Sequence, residues 1–96
     1  MKMVMITYNE AVDAEVMEAL EASGVKNYTK IPAAYGKGEK SGTHLGNDIW
    51  PGRNGILYVA CNGEDAKKLL LQIKELRKSL ASEGVKAFVL PVEEMT

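Results

Sequence analysis

At 96 residues the chain makes one domain, whose own core gives only a modest stability margin. A net charge of -1 and a pI near 5.8 exclude a nucleic-acid binder, because phosphate contacts need a basic face. The single cysteine, Cys61, cannot form an internal disulfide, and no signal peptide or long apolar span is visible. The expected setting is therefore cytoplasmic, without membrane insertion.

Met3 to Tyr8 is short and apolar and ends at Asn9, which predicts a strand buried on both faces. Asn9 suits a helix cap, with Glu10 and Asp13 in the first turn, where the helix dipole favours negative charge. Val12, Val16, Ala19 and Leu20 recur on one helical face up to Gly24, predicting helix one over roughly 10–23. Val25 to Ile31 sets Lys26, Tyr28 and Lys30 against Val25, Asn27, Thr29 and Ile31, the pattern of a half-exposed strand. Lysines on such a strand blunt an open edge.

Residues 35–54 show neither a helical nor a strand period. This stretch holds five of the nine glycines, the only histidine and the only tryptophan. Runs of this length in a small domain are functional or disordered, and Leu45, Ile49 and Trp50 favour a loop that docks on something. Gly55 to Cys61 is a second apolar strand. Asn62 and Asp65 open helix two, whose Ala66, Leu69, Leu70, Ile73, Leu76 and Leu80 make a stripe running toward Gly84. Val85 to Val92 closes the chain as a fourth strand.

The order is β-α-β, loop, β-α-β, and the halves echo each other. Gly24-Val25-Lys26-Asn27-Tyr28 matches Gly84-Val85-Lys86-Ala87-Phe88, each after an Asn-capped helix. This is the pattern of the α+β, ferredoxin-like split βαββαβ fold: a four-stranded antiparallel sheet with both helices on one face. A bare second face built on strands 3–8 and 55–61 would be a large apolar patch, which soluble monomers rarely expose. A closed homo-oligomer follows as the expectation.

With these elements in place, nearly the whole chain resembles the PII signal-transduction superfamily. Its members are trimers of ferredoxin-like subunits that signal through a long T-loop between strands two and three. That loop opens with Gly-x-Gly-x-Gln-x-Gly in the family, and Gly36-Lys37-Gly38-Glu39-Lys40-Ser41-Gly42 stands at the corresponding place. The family's Gly-Asp-Gly-Lys-Ile-Phe-Val segment has its counterpart in Glu83-Gly84-Val85-Lys86-Ala87-Phe88-Val89. The resemblance implies ATP, ADP or AMP held between subunits, with Gly36, Gly38, Lys40 and Lys86 as contacts. It also implies a homotrimer that reports to a regulated protein through residues 35–54. Lys40 replaces the family glutamine and no tyrosine follows Gly42 in the loop. Magnesium-dependent 2-oxoglutarate binding and tyrosine uridylylation are therefore not expected.

From spacing alone, the glycine run is neither a dinucleotide fingerprint nor a P-loop and reads first as a flexible turn. Its glycines would still bring backbone N-H groups near an anion, and Lys37, Lys40 and Lys86 could neutralise phosphate. His44 and Asp48 suggest a second reading, a divalent-metal site repeated about a threefold axis, since trimeric relatives of the CutA type are associated with metal tolerance. Met1, Met3 and Met5 read as adaptable packing, and Cys61 as a small buried hydrophobe. His44 has no partnered nucleophile or acid at a recognisable spacing, so no enzyme is expected.

Overall fold

The computed structural model describes residues 1–38, 42–44, 53–80 and 84–96. Strand β1 (Lys2–Asn9) passes through a 3-10 turn (Glu10–Val12) into α1 (Asp13–Ala22). Next come β2 (Thr29–Ala34), β3 (Gly36–Gly38) and β4 (Gly42–His44), then β5 (Asn54–Cys61), α2 (Gly63–Leu80) and β6 (Val85–Pro91). Four strands form an antiparallel sheet in the order β2-β5-β1-β6, while β3 and β4 pair separately. This is the expected ferredoxin-like βαββαβ arrangement, with the two apolar strands innermost.

Period-two alternation decides which residues of β1 and β5 reach the helices. Val4, Ile6 and Tyr8 share the covered face with Leu57, Val59 and Cys61. The helices close over them with Val12, Val16, Ala19 and Leu20 from the first and Ala66, Leu69 and Ile73 from the second, as their spacing predicts. Asn9 Oδ1 accepts the Ala11 N-H at 2.9 Å, and Asn62 Oδ1 accepts the Asp65 N-H at 2.8 Å, so both asparagines cap helix starts. Gly24, at φ 83°, ends the first helix in the left-handed region that its missing Cβ permits.

Among the described residues, no helix covers the opposite sheet face. Registers align Thr29, Tyr58, Met5 and Phe88 in one row and Ile31, Ile56, Thr7 and Lys86 in the next. Met5 and Tyr58 are half-buried, whereas Phe88 and Leu90 are 44% and 45% exposed. Within one chain, then, the inner strands are covered on one face only, not on both as their composition suggests.

Several boundaries differ from the sequence expectation. Helix one begins as a 3-10 turn over 10–12, with regular α geometry from Asp13. The second strand starts at Thr29 rather than Val25 and continues past Pro32 to Ala34. Proline donates nothing to a ladder, but β2 is an edge strand and its pairing with β5 shifts between Ile31 and Ala34, where Pro32 is tolerated. Lys30 turns to the helix side rather than to solvent and meets Asp13. The 35–54 stretch includes a short hairpin that pairs Gly36 with His44 and Gly38 with Gly42. Alternate glycines erase the side-chain pattern from which such strands are read. Gly84 follows α2 without a positive φ; among the described glycines only Gly24 has one.

Candidate functional site

The first strand ends beside the place where the 35–54 stretch leaves and rejoins the sheet. Between these stems lies a cleft of about 300 Å³. Tyr35, Gly36 and Lys37 form its incoming wall, Asn54 and Ile56 the outgoing wall, and Thr7 its floor, with Gly84 and Lys86 closing the side toward β6. The sheet registers explain the convergence, because Thr7 is paired with Ile56 on one side and with Lys86 on the other. Lys86 therefore stands on the uncovered face at the cleft's edge.

Two lysines, Lys37 and Lys86, are the charged groups of this lining, and among the described residues no carboxylate joins them. Tyr35, 70% exposed, adds an aromatic ring, and Ile56 an apolar surface. Such a lining suits an anion that also carries a flat or apolar part. Gly36 lies close to the outgoing stem: a Cβ there would meet Asn54 Nδ2, and the Asn54 side chain would have to move to admit it.

Beneath the cleft, Tyr8 is buried and its hydroxyl donates to Asp13 Oδ1 at 2.6 Å. The same carboxylate oxygen meets Lys30 Nζ at 2.7 Å. The ammonium of Lys30, and then the phenol of Tyr8, hold the Asp13 carboxyl below its ordinary range. Burial first, and the hydrogen bond to Asp13 second, push the Tyr8 phenol well above its usual value. Burial likewise raises the Cys61 thiol, which fits a packed, unreactive group.

Of the residues singled out from the sequence, Gly36 and Lys86 come together in the cleft. Gly38 lies farther along the hairpin, opposite Gly42. Lys40 and Asp48 lie outside the described residues, as does the side chain of His44, whose backbone pairs with Gly36. No group of three or more His, Cys, Asp or Glu side chains suited to a metal occurs among the described residues. Sequence reasoning missed Thr7, Tyr35 and Asn54, since each reaches the cleft through long-range pairing. It also missed the Tyr8–Asp13–Lys30 contact, because Lys30 reads as one of the lysines that blunt an open edge. No helix of the described residues is long and apolar enough to cross a membrane.

The family profile described as nitrogen regulatory protein P-II matches residues 1–96. Among solved structures, the chain is similar to a PII-like signaling protein of Thermus thermophilus, at 25% identity and a TM-score of 0.66, covering 92% of this chain and 82% of that one. It is similar in fold to CPII of Thiomonas intermedia bound to ADP and bicarbonate, at 23% identity and a TM-score of 0.73, covering 92% and 81%. A further CPII structure, described as a nitrogen regulatory PII-like protein bound to ADP, AMP and bicarbonate, aligns at 22% identity and a TM-score of 0.71, covering 97% and 88%. No curated protein matches the chain. These likenesses lend no support to the CutA-type metal-tolerance alternative.

Proposed function

The chain belongs to the nitrogen regulatory protein P-II family, and we propose that it is a non-enzymatic cytoplasmic sensor that binds an adenine nucleotide in the cleft between its loop stems. The observation that carries this reading is the convergence of Gly36, Lys37 and Lys86 on one cleft. Lys37 and Lys86 supply the positive charge that a nucleotide's phosphates need, while the bare approach at Gly36 leaves room for them. Tyr35 offers a ring on which a base can stack. The described ligands of the Thiomonas proteins, ADP and AMP, are of the same chemical class.

The uncovered sheet face supports a homotrimer. Phe88, Leu90, Met5 and Tyr58 lie on it together, and burying that apolar surface against other copies is favourable by roughly 25 cal/mol per Å². Lys86 stands at the edge of the same face, so a neighbouring subunit would complete the cleft. Ligand bound there touches both stems of the 35–54 stretch directly, the route by which occupancy would reach a partner protein. Calorimetric titration with AMP, ADP and ATP tests the reading. Uptake of at least one nucleotide, weakened by Lys86→Ala or Lys37→Ala in folded protein, supports it; no uptake of any of the three refutes it.

A further inference from the structure

Both stems of the 35–54 stretch are tied to one turn of the chain. On the incoming side, Lys30 of β2 meets Asp13 Oδ1 at 2.7 Å, and the Tyr8 hydroxyl donates to that oxygen at 2.6 Å. On the outgoing side, the Glu10 N-H donates to the Arg53 carbonyl at 2.7 Å. The Arg53 guanidinium in turn reaches the Glu10 carboxylate, Nε to oxygen, at 3.4 Å. Glu10 and Asp13 are three residues apart at the start of the first helix, so one rigid turn grips two segments that are distant in sequence.

The sheet alone holds these stems incompletely. Pairing of β2 with β5 is regular at Thr29 to Ile31 but shifts before Ala34, where Pro32 supplies no amide hydrogen. Pairing resumes where Ala34 meets Asn54, so across the shift the incoming wall is held by that one pair, by the ladder at Thr29 to Ile31 and by the contact of Lys30 with Asp13. The outgoing wall begins at Asn54, directly after Arg53. The phenol of Tyr8 touches both regions, since it bonds to Asp13 and lies over Gly55.

We propose that Glu10 and Asp13 are positioning residues for the cleft: two arms from the first helical turn moor its two walls and set the distance between them. This inference rests on the nucleotide reading only for its functional consequence. A ligand that bridges the walls binds best when their spacing is held in advance, because ordering them on binding costs affinity. The side-chain contacts of both arms are ionic and partly exposed, so salt and charge removal both loosen them, while the Glu10 N-H keeps its bond to the Arg53 carbonyl.

The test is hydrogen–deuterium exchange on the full chain, comparing wild type with Asp13→Asn, Glu10→Gln and the double variant. Amides of 34–37 and 54–56 should exchange about threefold faster or more in the double variant, a size consistent with partly exposed ion pairs. Amides pairing β1 with β6 should be unchanged, showing that the fold persists. Asp13→Glu, which keeps the charge, should restore slow exchange at 34–37 relative to Asp13→Asn. Unchanged exchange at both walls in the folded double variant overturns the mooring. ADP titration of the same proteins supplies the second readout, with affinity expected to fall in the double variant. If wild type takes up no nucleotide at all, the proposed function falls while the exchange data still decide the mooring.

Discussion

The ring of Tyr8 lies directly against Gly55, the residue opposite it across the β1–β5 ladder. A Cβ on Gly55 would sit 2.5 Å from Tyr8 Cζ and 2.6 Å from its hydroxyl oxygen. This contact lets a large phenol fill the covered face next to a strand and still reach Asp13. Gly55→Ala should therefore displace Tyr8 and destabilise the protein by about 1–3 kcal/mol, the usual cost of overpacking a filled core. Urea denaturation followed by circular dichroism measures it; a variant as stable as wild type would show that the ring moves aside freely.

Acid should weaken the Asp13 contact. Its carboxyl titrates below 3.8 in the folded chain because Lys30 and Tyr8 favour the charged form. A depressed folded value means that the stabilisation is present above the unfolded value and lost as pH falls through the folded one. Thermal unfolding from neutral to strongly acidic pH should therefore fall less steeply for Asp13→Asn than for wild type. Parallel curves would remove Asp13 from the acid response.

Tyr8 has the opposite sign. Its folded value is raised above 10.0 by burial and by Asp13, so its stabilisation is complete below 10.0 and fades as pH climbs toward the folded value. Tyr8→Phe should lose about 1 kcal/mol at neutral pH through the missing hydrogen bond, and should then lose less than wild type under alkaline conditions. Absorbance of the phenolate during an alkaline titration monitors the event directly.

The uncovered sheet face can be tested by one charge. Phe88 is 44% exposed in a single chain and sits in the row with Met5 and Tyr58. Phe88→Asp should leave the core intact while placing an unpaired charge at the proposed subunit contact, a strongly unfavourable burial. Sedimentation should then report a species near the chain mass of 10.5 kDa, where wild type should sediment at three times that mass. A wild-type chain that sediments as a monomer would end the trimer proposal.

At the cleft, Lys86→Ala should weaken nucleotide affinity by about tenfold or more, in line with loss of a charge-assisted hydrogen bond. Lys86 is exposed and holds no core position, so the melting temperature without ligand should stay close to wild type. Equal affinity in the two proteins would take Lys86 out of the site.

How far the residues alone could be read differs sharply between elements. Val12, Val16, Ala19 and Leu20 reveal their helix, and Val4, Ile6, Leu57 and Val59 their strands, because each period is local to a few turns or a few pleats. Gly36 and Lys86 stood out through glycine spacing and a family pattern, and they do share a cleft. Tyr35, Asn54 and Thr7 carried no mark, since what brings them together is pairing between strands far apart in the chain. Pro32 hid the true course of β2, because a proline in a strand is acceptable only at an edge, and edge position is a property of the assembled sheet.

By itself, then, the sequence settled the order of the two helices and the four main strands, the covered faces of the helices, and the place of the long connection, all of which follow from short-range periodicity and capping. Only the tertiary structure decided that Lys30 faces inward to Asp13, that Arg53 meets Glu10, and that Tyr8 lies on Gly55. Those contacts depend on register and strand order, and a one-residue slip of either would turn each side chain to the other face.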